Sequence, residues 1–429
     1  MTQCRKVELA ITKDNQMIID QQSKICNWLY NRILSILKNN PNRKMINLNY
    51  LFKILYVVKR ENSFLNNVMA SLLNNVVYRI NNNFKVGNKK IEEIKYNSWH
   101  NNWFSLCFDK PRHDIRMLNN KELIINLDYD DNKKIFCTKF KRKANIFSIE
   151  KVKFFIISKN IGRYYITFFL EREEQKIKPI KNYITIDQNH INFFVGVDNQ
   201  GRSFEFAQMN IFKYFDKEID KLKSKLSKCM KKSKKIISNE NIILIPSKRH
   251  QRLRKTILEI VRKKREQIKQ SCYSIANWIA KNYDCVAIGS YIPSLDVATN
   301  KWMRRKMINQ STIAYFKEKL LWVMKRSGKT ALVIDEKNTT NRCCICQSYE
   351  KKKPNVRIFK CLNCKNTIIR DINSCINIAK KAKLLSGPDY VKWPLAKFTY
   401  TVKWDYRQTK LIFTDELNEK KEIFSTYNT

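Results

Sequence analysis

Four cysteines fall into two pairs in this 429-residue chain, Cys343-x2-Cys346 and Cys361-x2-Cys364, with fourteen residues between the pairs. Each pair makes a knuckle that presents two thiolates. Two knuckles give four soft ligands at tetrahedral corners, a closed set that suits structural Zn²⁺ and leaves no open position. Cys344 falls outside the set, because only Cys343 has the two-residue gap to Cys346. A redox pair is the competing reading, and it leaves the second knuckle without a purpose. Acids stand on both sides of this module. Glu336 closes the strand-like ALVID segment, and Asp371 follows Arg370 at the start of a helix-like segment. A third acid, Asp187, lies inside the strand-like YITIDQ, where a buried carboxylate is costly unless paired or bound to metal. Converging carboxylates can hold two divalent ions about 3.5–4 Å apart, activating water and stabilising a leaving oxygen in phosphodiester hydrolysis. Mg²⁺ prefers such oxygen ligands. The competing readings are an edge-strand Asp187 in solvent, a solvated loop acid at Glu336, and an Asp371 that only complements a helix dipole. Asp335 would point to the opposite face if its strand persists. Asp198, in an Asp-Asn-Gln-Gly turn, reads as turn chemistry.

The composition says what such a centre would act on. Lys and Arg number 84 against 38 Asp and Glu, a formal charge of +46. A compact surface with that excess repels itself unless a polyanion is present, and nucleic acid rewards distributed Lys and Arg through counterion release. An acidic membrane surface is the competing partner. Lys and Asn richness could also reflect an AT-rich genome, which would not explain the shortage of acids. No apolar run approaches the ~20 residues a membrane helix needs, and the N-terminus lacks a secretory-signal pattern. The 13 cysteines then imply a reducing compartment, where clustered ones bind metal and scattered ones act as small apolar residues. With 43% hydrophobic residues the chain is globular, and only 7 Gly and 8 Pro favour substantial helix.

The elements that must position these residues follow from periodicity. KVELAIT at 6–12 alternates as a strand. A basic helical block runs from Gln16 to about Ile80, with Ile25, Leu29, Ile33 and Leu37 on one face. Residues 81–100 read as loop. Five short alternating runs over 101–178 form an antiparallel β unit that 6–12 joins, with the helical block inserted. QKIKPIKN at 175–182 reads as a linker. Three strands follow over 183–207. A long basic helical stretch, broken near Pro246, covers 213–282, with one apolar face to pack and one basic face to lie in solvent or along phosphate. CVAIGSY is a buried strand, 306–326 is a helix that Gly328 ends, and ALVID is a further strand.

Three strands, helix, strand, helix, strand, helix is the order of a ribonuclease H-like sheet. In that fold a carboxylate normally ends the strand that CVAIGSY occupies; here Gly289-Ser290 stands there, and Asp284 is at the wrong end. The run Thr339-Thr340-x2-Cys343-x2-Cys346, Cys361-x2-Cys364, Arg370-Asp371-Ile372-Asn373 and Asn377-Ile378 resembles the C-terminal signature of TnpB, transposon-encoded RNA-guided DNA nucleases related to type V CRISPR effectors. ITIDQNH resembles the first RuvC motif of that family, VAIGSY occupies the second, and KVELAIT with Tyr30-Asn31 looks like its opening. The missing second-motif acid resembles the eukaryotic and viral Fanzor subgroup, in which a glutamate shortly before the zinc module substitutes. The resemblance implies a two-lobed α+β multidomain protein. A β-barrel-like wedge domain (1–15 and 91–178) would carry an inserted helical recognition domain (16–90). A RuvC domain (179–338 and 369–385) would carry a zinc insertion (339–368), followed by a C-terminal extension (386–429). It further implies Asp187, Glu336 and Asp371 as catalytic Mg²⁺ ligands, a guide RNA, a double-stranded DNA target, a monomer in the ribonucleoprotein and a nuclear location. KKSKK at 231–235 is weak support for that location. Two other readings stay open. One is a guide-dependent DNA-binding protein that lost cleavage with the acid at Gly289. The other is a zinc-ribbon RNA-binding or ribosome-associated protein, which leaves Asp187 and the Arg-Asp-x-Asn helix unexplained.

Overall fold

The computed structural model describes residues 2–39, 47–87, 91–98, 103–118, 122–127, 135–140, 151–189, 192–207, 211–231, 234–238, 241–292, 312–353, 356–385, 398–415 and 421–422. The chain divides into two compact units, Met1–Glu173 and Glu174–Thr429. Among the described residues no helix is long and apolar enough to cross a membrane.

The first unit is a seven-stranded antiparallel sheet with helices inserted after its first strand. In chain order it contains β1 (Thr2–Ala10), α1 (Lys13–Lys38), α2 (Leu48–Glu61), α3 (Ala70–Gly87), β2 (Leu106–Phe108), α4 (Pro111–Asp114), β3 (Ile115–Met117), β4 (Glu122–Asn126), β5 (Ile135–Phe140), β6 (Val152–Asn160) and β7 (Arg163–Glu171). The strand order is β2-β6-β7-β1-β5-β4-β3, so β1 sits inside the sheet. Thr12 and Asn47 accept from Asn15 N and Tyr50 N, capping α1 and α2 where sequence-local donors lack partners. Leu29, Ile33 and Leu37 are buried on one face of α1, as their spacing predicts. The helix α3 runs on to Gly87, through a stretch that reads as loop. Its asparagines have low helix propensity, and Phe84 packs against the core.

The second unit holds the candidate site. It contains β8 (Tyr183–Gln188), β9 (Phe194–Asp198), β10 (Ser203–Phe206), α5 (Ile211–Lys231), β11 (Lys234–Ser238), β12 (Asn241–Ile245), α6 (Lys248–Asn282), β13 (Cys285–Gly289), α7 (Ile313–Arg326), β14 (Thr330–Ile334), β15 (Ile358–Lys360), β16 (Thr367–Ile369), α8 (Arg370–Lys381), β17 (Tyr400–Asp405), β18 (Lys410–Asp415) and β19 (Lys421–Glu422). Its main sheet has the order β14-β13-β8-β9-β10-β17-β18-β19. β13 runs parallel to β8 and β14, whereas β9 is antiparallel to both its neighbours. All six residues of β8 are buried, as expected of a strand covered on both faces. Ile184 and Ile186 pack on one face with Ile275 and Ile279 of α6 and Phe316 and Leu320 of α7. Val195 and Val197 pack on the other with Ile372 and Ile376 of α8. Strand alternation therefore sends Asp187, one residue after Ile186, to the α8 side.

Two features correct the sequence reading, and a third extends it. The basic stretch 213–282 is not only helical: an antiparallel hairpin, β11–β12, separates its two helices, pairing Lys234 with Ile245 and Ile236 with Ile243. The isoleucines of the KKIIS and NIILI runs favour this. Within the segment assigned to a C-terminal extension, β17, β18 and β19 belong to the main sheet, with β17 parallel to β10. Asp198 does the turn chemistry expected of it and is also fully buried. It accepts from Arg202 Nε at 2.8 Å, Tyr283 Oη at 2.9 Å and the backbone N–H groups of Gln200 and Arg202 at 3.0 and 2.9 Å. The expected helix over 306–326 is described from Ile313; its earlier part lies outside the described residues, as does part of 231–235. Gly328 ends α7 at φ +63°, with Lys329 N–H bonded to Met324 O and Gly328 N–H to Lys325 O. That left-handed cap suits glycine, and an added Cβ would lie 2.6 Å from Lys176 O.

Candidate active site

The four paired cysteines converge. Sγ of Cys343 lies 3.6 Å from that of Cys364, and Cys346 lies 3.5 Å from Cys361. All four Sγ atoms lie within 4.8 Å of one another, and four converging sulfurs are the donor set of tetrahedral Zn²⁺. Without a cation these thiols cannot all ionise. The Ser348 hydroxyl and backbone hold Cys346 down to about 6, while burial pushes Cys343 and Cys364 up. A divalent ion would remove that conflict. Cys344 does not point into the set; it is buried, and its backbone N–H donates to Asn373 Oδ1 at 2.8 Å.

The module is clipped to α8 by amides one helical turn apart. Asn373 Nδ2 donates to Arg342 O at 2.8 Å, and Asn377 Nδ2 donates to Arg342 O and Thr339 O at 2.7 and 2.8 Å. The i, i+4 spacing puts both on one face. Asp371 and Ser374 share another face, toward the sheet. This accounts for the Arg-Asp-Ile-Asn run as structure: one helix carries an acid for the sheet side and amides for the zinc side.

Glu336 lies just past β14, which pairs with β13 so that Ile334 stands opposite Gly289. The backbone around Glu336 is tied down. Its carbonyl accepts from the Thr339 N–H at 3.1 Å and from Thr339 Oγ1 at 2.9 Å. Lys381 Nζ donates to the carbonyls of Asp335 and Lys337 at 3.0 and 2.6 Å. The side chain folds back over the end of β13. A Cβ built on Gly289 would lie 1.3 Å from Glu336 Oε1, 2.2 Å from Cδ and 2.6 Å from Cγ. The glutamate carboxyl thus occupies the space in which a side chain at 289 would begin. Tyr291 N–H donates to this carboxylate, while Oε1 is buried with no hydrogen-bond partner among the described residues.

The three acids feel one another. Burial, then Glu336, then Asp371 push the Asp187 carboxyl well above the ordinary range, with Ser374 and Arg370 opposing. Burial also raises Glu336, against the Tyr291 N–H and the Lys317 ammonium. Asp371, 4% exposed at the first turn of α8, accepts from Asn189 Nδ2 at 3.2 Å and Arg357 Nη1 at 3.4 Å, with Arg370 Nη2 at 3.5 Å from its other oxygen. The Ser374 hydroxyl stands 3.1 Å from Thr339 Oγ1 and within hydrogen-bond reach of Asp187, with one proton to share between them. A buried cluster of carboxyls with an unpartnered oxygen suits a hard cation such as Mg²⁺.

Sequence reading missed Asn189, Lys317, Arg357 and Ser374. Asn189 and Ser374 each lie within three residues of an acid already singled out, which was the available signal. Arg357 and Lys317 reach the site through tertiary packing and left none.

Residues 314–378 match the family model described as Cas12f1-like, TNB domain, a span that covers α7, β14, the zinc module and most of α8. The fold is similar to a solved Cas12f1–sgRNA–target DNA complex, at TM-score 0.58 and 12% identity, over 88% of this chain and 98% of that one. A CRISPR-Cas12f ternary complex aligns over 86% of this chain and 82% of that one, at 16% identity and TM-score 0.33. The mini RNA-guided endonuclease Cas_phi3 covers 62% and 58%, at 14% identity and TM-score 0.35. No curated protein matches. The chain therefore has a Cas12f1-like fold and carries a segment of the TNB type.

Proposed function

We propose that this protein is an RNA-guided DNA endonuclease whose cleavage centre is built from Asp187, Glu336 and Asp371. The observation that carries this reading is the Glu336 carboxyl over Gly289: the acid absent from the end of β13 is supplied from the neighbouring strand to the same space, beside Asp187. The zinc-binding module is structural, since Cys343, Cys346, Cys361 and Cys364 leave no position for substrate. The relocated glutamate, rather than loss of it, supports the Fanzor-like form of the resemblance and weighs against a catalytically silent DNA binder.

Bound Mg²⁺ would supply a nucleophile from water and charge stabilisation for the leaving oxygen. The chain's own residues do the rest. Asp187, Glu336 and Asp371 present oxygens from three separate backbone elements. Asn189 and Arg357 orient the Asp371 carboxylate, and Ser374 orients Asp187. In this reading a guide RNA supplies sequence by pairing, and the protein grips the heteroduplex through its +46 charge. The first unit would act as wedge and recognition lobe, and the nucleus would be the working compartment of a monomeric ribonucleoprotein.

The test is sequencing of co-purified RNA, followed by Mg²⁺-dependent cleavage with the Asp187→Ala, Glu336→Ala and Asp371→Ala variants loaded with that RNA. One defined RNA species and loss of cutting with retained target binding is the expected result. If Glu336→Ala cuts like the parent, the glutamate assignment fails.

A further inference from the structure

Among the described residues Lys317 is the only buried lysine, at 6% exposure. It stands on α7, and its Nζ donates to Gly289 O at 2.7 Å. Buried ammonium groups need a specific compensation, because a lone carbonyl does not replace lost hydration. The compensation on hand is Glu336, whose charge interacts with Lys317. The same residue, Gly289, therefore lends both its missing side chain and its carbonyl to one arrangement. Its bare Cα makes room for the Glu336 carboxyl, and its carbonyl anchors the ammonium whose charge acts on that carboxyl.

An acid carried on β13 itself would be aimed by the strand backbone. Glu336 instead comes from beyond the end of β14 on a long side chain, toward a volume that already holds Asp187 and Asp371. Asp187 there already takes repulsion from both Glu336 and Asp371. A neutral donor could satisfy Gly289 O but would do nothing against that repulsion. We infer that Lys317 is a positioning residue for the proposed centre: tethered to Gly289 O, its ammonium holds the Glu336 carboxylate in the space above Gly289. Tyr291 N–H supplies the second tether. This rests on the reading of Asp187, Glu336 and Asp371 as the cleavage centre.

The experiment uses the full chain with its co-purified RNA and compares Lys317→Gln, which keeps a donor for Gly289 O but removes the charge, with Lys317→Met. Two quantities are measured: the single-turnover cleavage rate, and the midpoint of Mn²⁺-induced thermal stabilisation. Both variants should cut about 10–100-fold more slowly and need about 10–100-fold more Mn²⁺, the usual effect of losing an outer-shell partner of a metal ligand. In a Glu336→Gln background Lys317→Gln should add no further loss of rate. A role limited to capping Gly289 O would leave Lys317→Gln like the parent in rate and midpoint. Plain charge repulsion of the cation would lower the Mn²⁺ midpoint. Either result overturns the inference. If Lys317→Met does not fold, Lys317→Gln alone decides. The failures are distinguishable: cleavage that survives Asp187→Ala refutes the centre, whereas loss in Asp187→Ala with a parent-like Lys317→Gln refutes only the positioning role.

Discussion

Gly289→Ala is the most economical perturbation of the proposed centre. Gly289 has no positive φ, so its backbone accepts an L side chain and only the space is in question. The added methyl would sit 1.3 Å from Glu336 Oε1. Ordinary non-bonded contact is about 3.5 Å, so the carboxyl must retreat by about 2 Å. A metal ligand tolerates displacements of about 0.2 Å, so such a retreat removes it from the site. Losing one preorganised electrostatic group of this kind costs about 10²–10³ in rate, or about 2.7–4 kcal/mol. Folding should change little. The side chain can swing away, and replacing Gly by Ala within a strand gains about 0.5–1 kcal/mol to set against the repacking. The melting temperature should therefore stay within about 2–4 °C of the parent. Single-turnover cleavage of a labelled target by the guide-loaded protein reads the rate. The double variant Gly289→Glu with Glu336→Ala should recover part of the activity by returning the acid to the strand. A Gly289→Ala protein that cleaves like the parent would refute the idea that Glu336 acts from above Gly289.

Three further outcomes are expected. Asp187 is raised well above its ordinary value, so the folded metal-free protein keeps a proton that the unfolded chain loses. Stability then falls as pH rises from about 4 toward the folded value; Asp187→Asn should raise the melting temperature of metal-free protein at neutral pH and flatten this dependence. Tyr283→Phe removes a 2.9 Å bond to the fully buried Asp198 and should cost about 1.5–3 kcal/mol in a urea melt. Cys361→Ser should release zinc, and hydrogen exchange should then quicken around 341–364 and at the Thr339–Asn377 clip while α1 to α3 stay protected.

Local patterns were legible in the sequence. The cysteine spacing marked the four converging thiols, and YITIDQ marked a strand carrying Asp187, though not that both its faces are covered. What escaped was decided across long distances in the chain. The turn chemistry read at Asp198 is present, but its full burial and its bond from Tyr283, 85 positions away, left no local sign. The helical period of 213–282 is strong enough to hide a hairpin between two amphipathic helices. Glu336 was legible as a candidate acid. That its carboxyl fills the volume over Gly289 depends on β13 and β14 lying side by side in register. Lys317 was one lysine among many until its burial set it apart.

The pairing of β17 with β10 also bears on when this protein becomes competent. Ser203 and Thr399 exchange hydrogen bonds across 196 positions, and Trp404 and Phe413 close the core around Phe206. Until those strands leave the ribosome, the edge of β10 is unpaired and one side of that core is open. The first unit, whose pairings lie wholly within its own sequence, can assemble long before. Late pairing over so long a loop is a slow, high-contact-order step. A chain engaged in synthesis would thus own a finished N-terminal unit ahead of any sheet able to hold Asp187, Glu336 and Asp371 together. The cleavage proposed above would come last, and a product truncated before β17 would lack it.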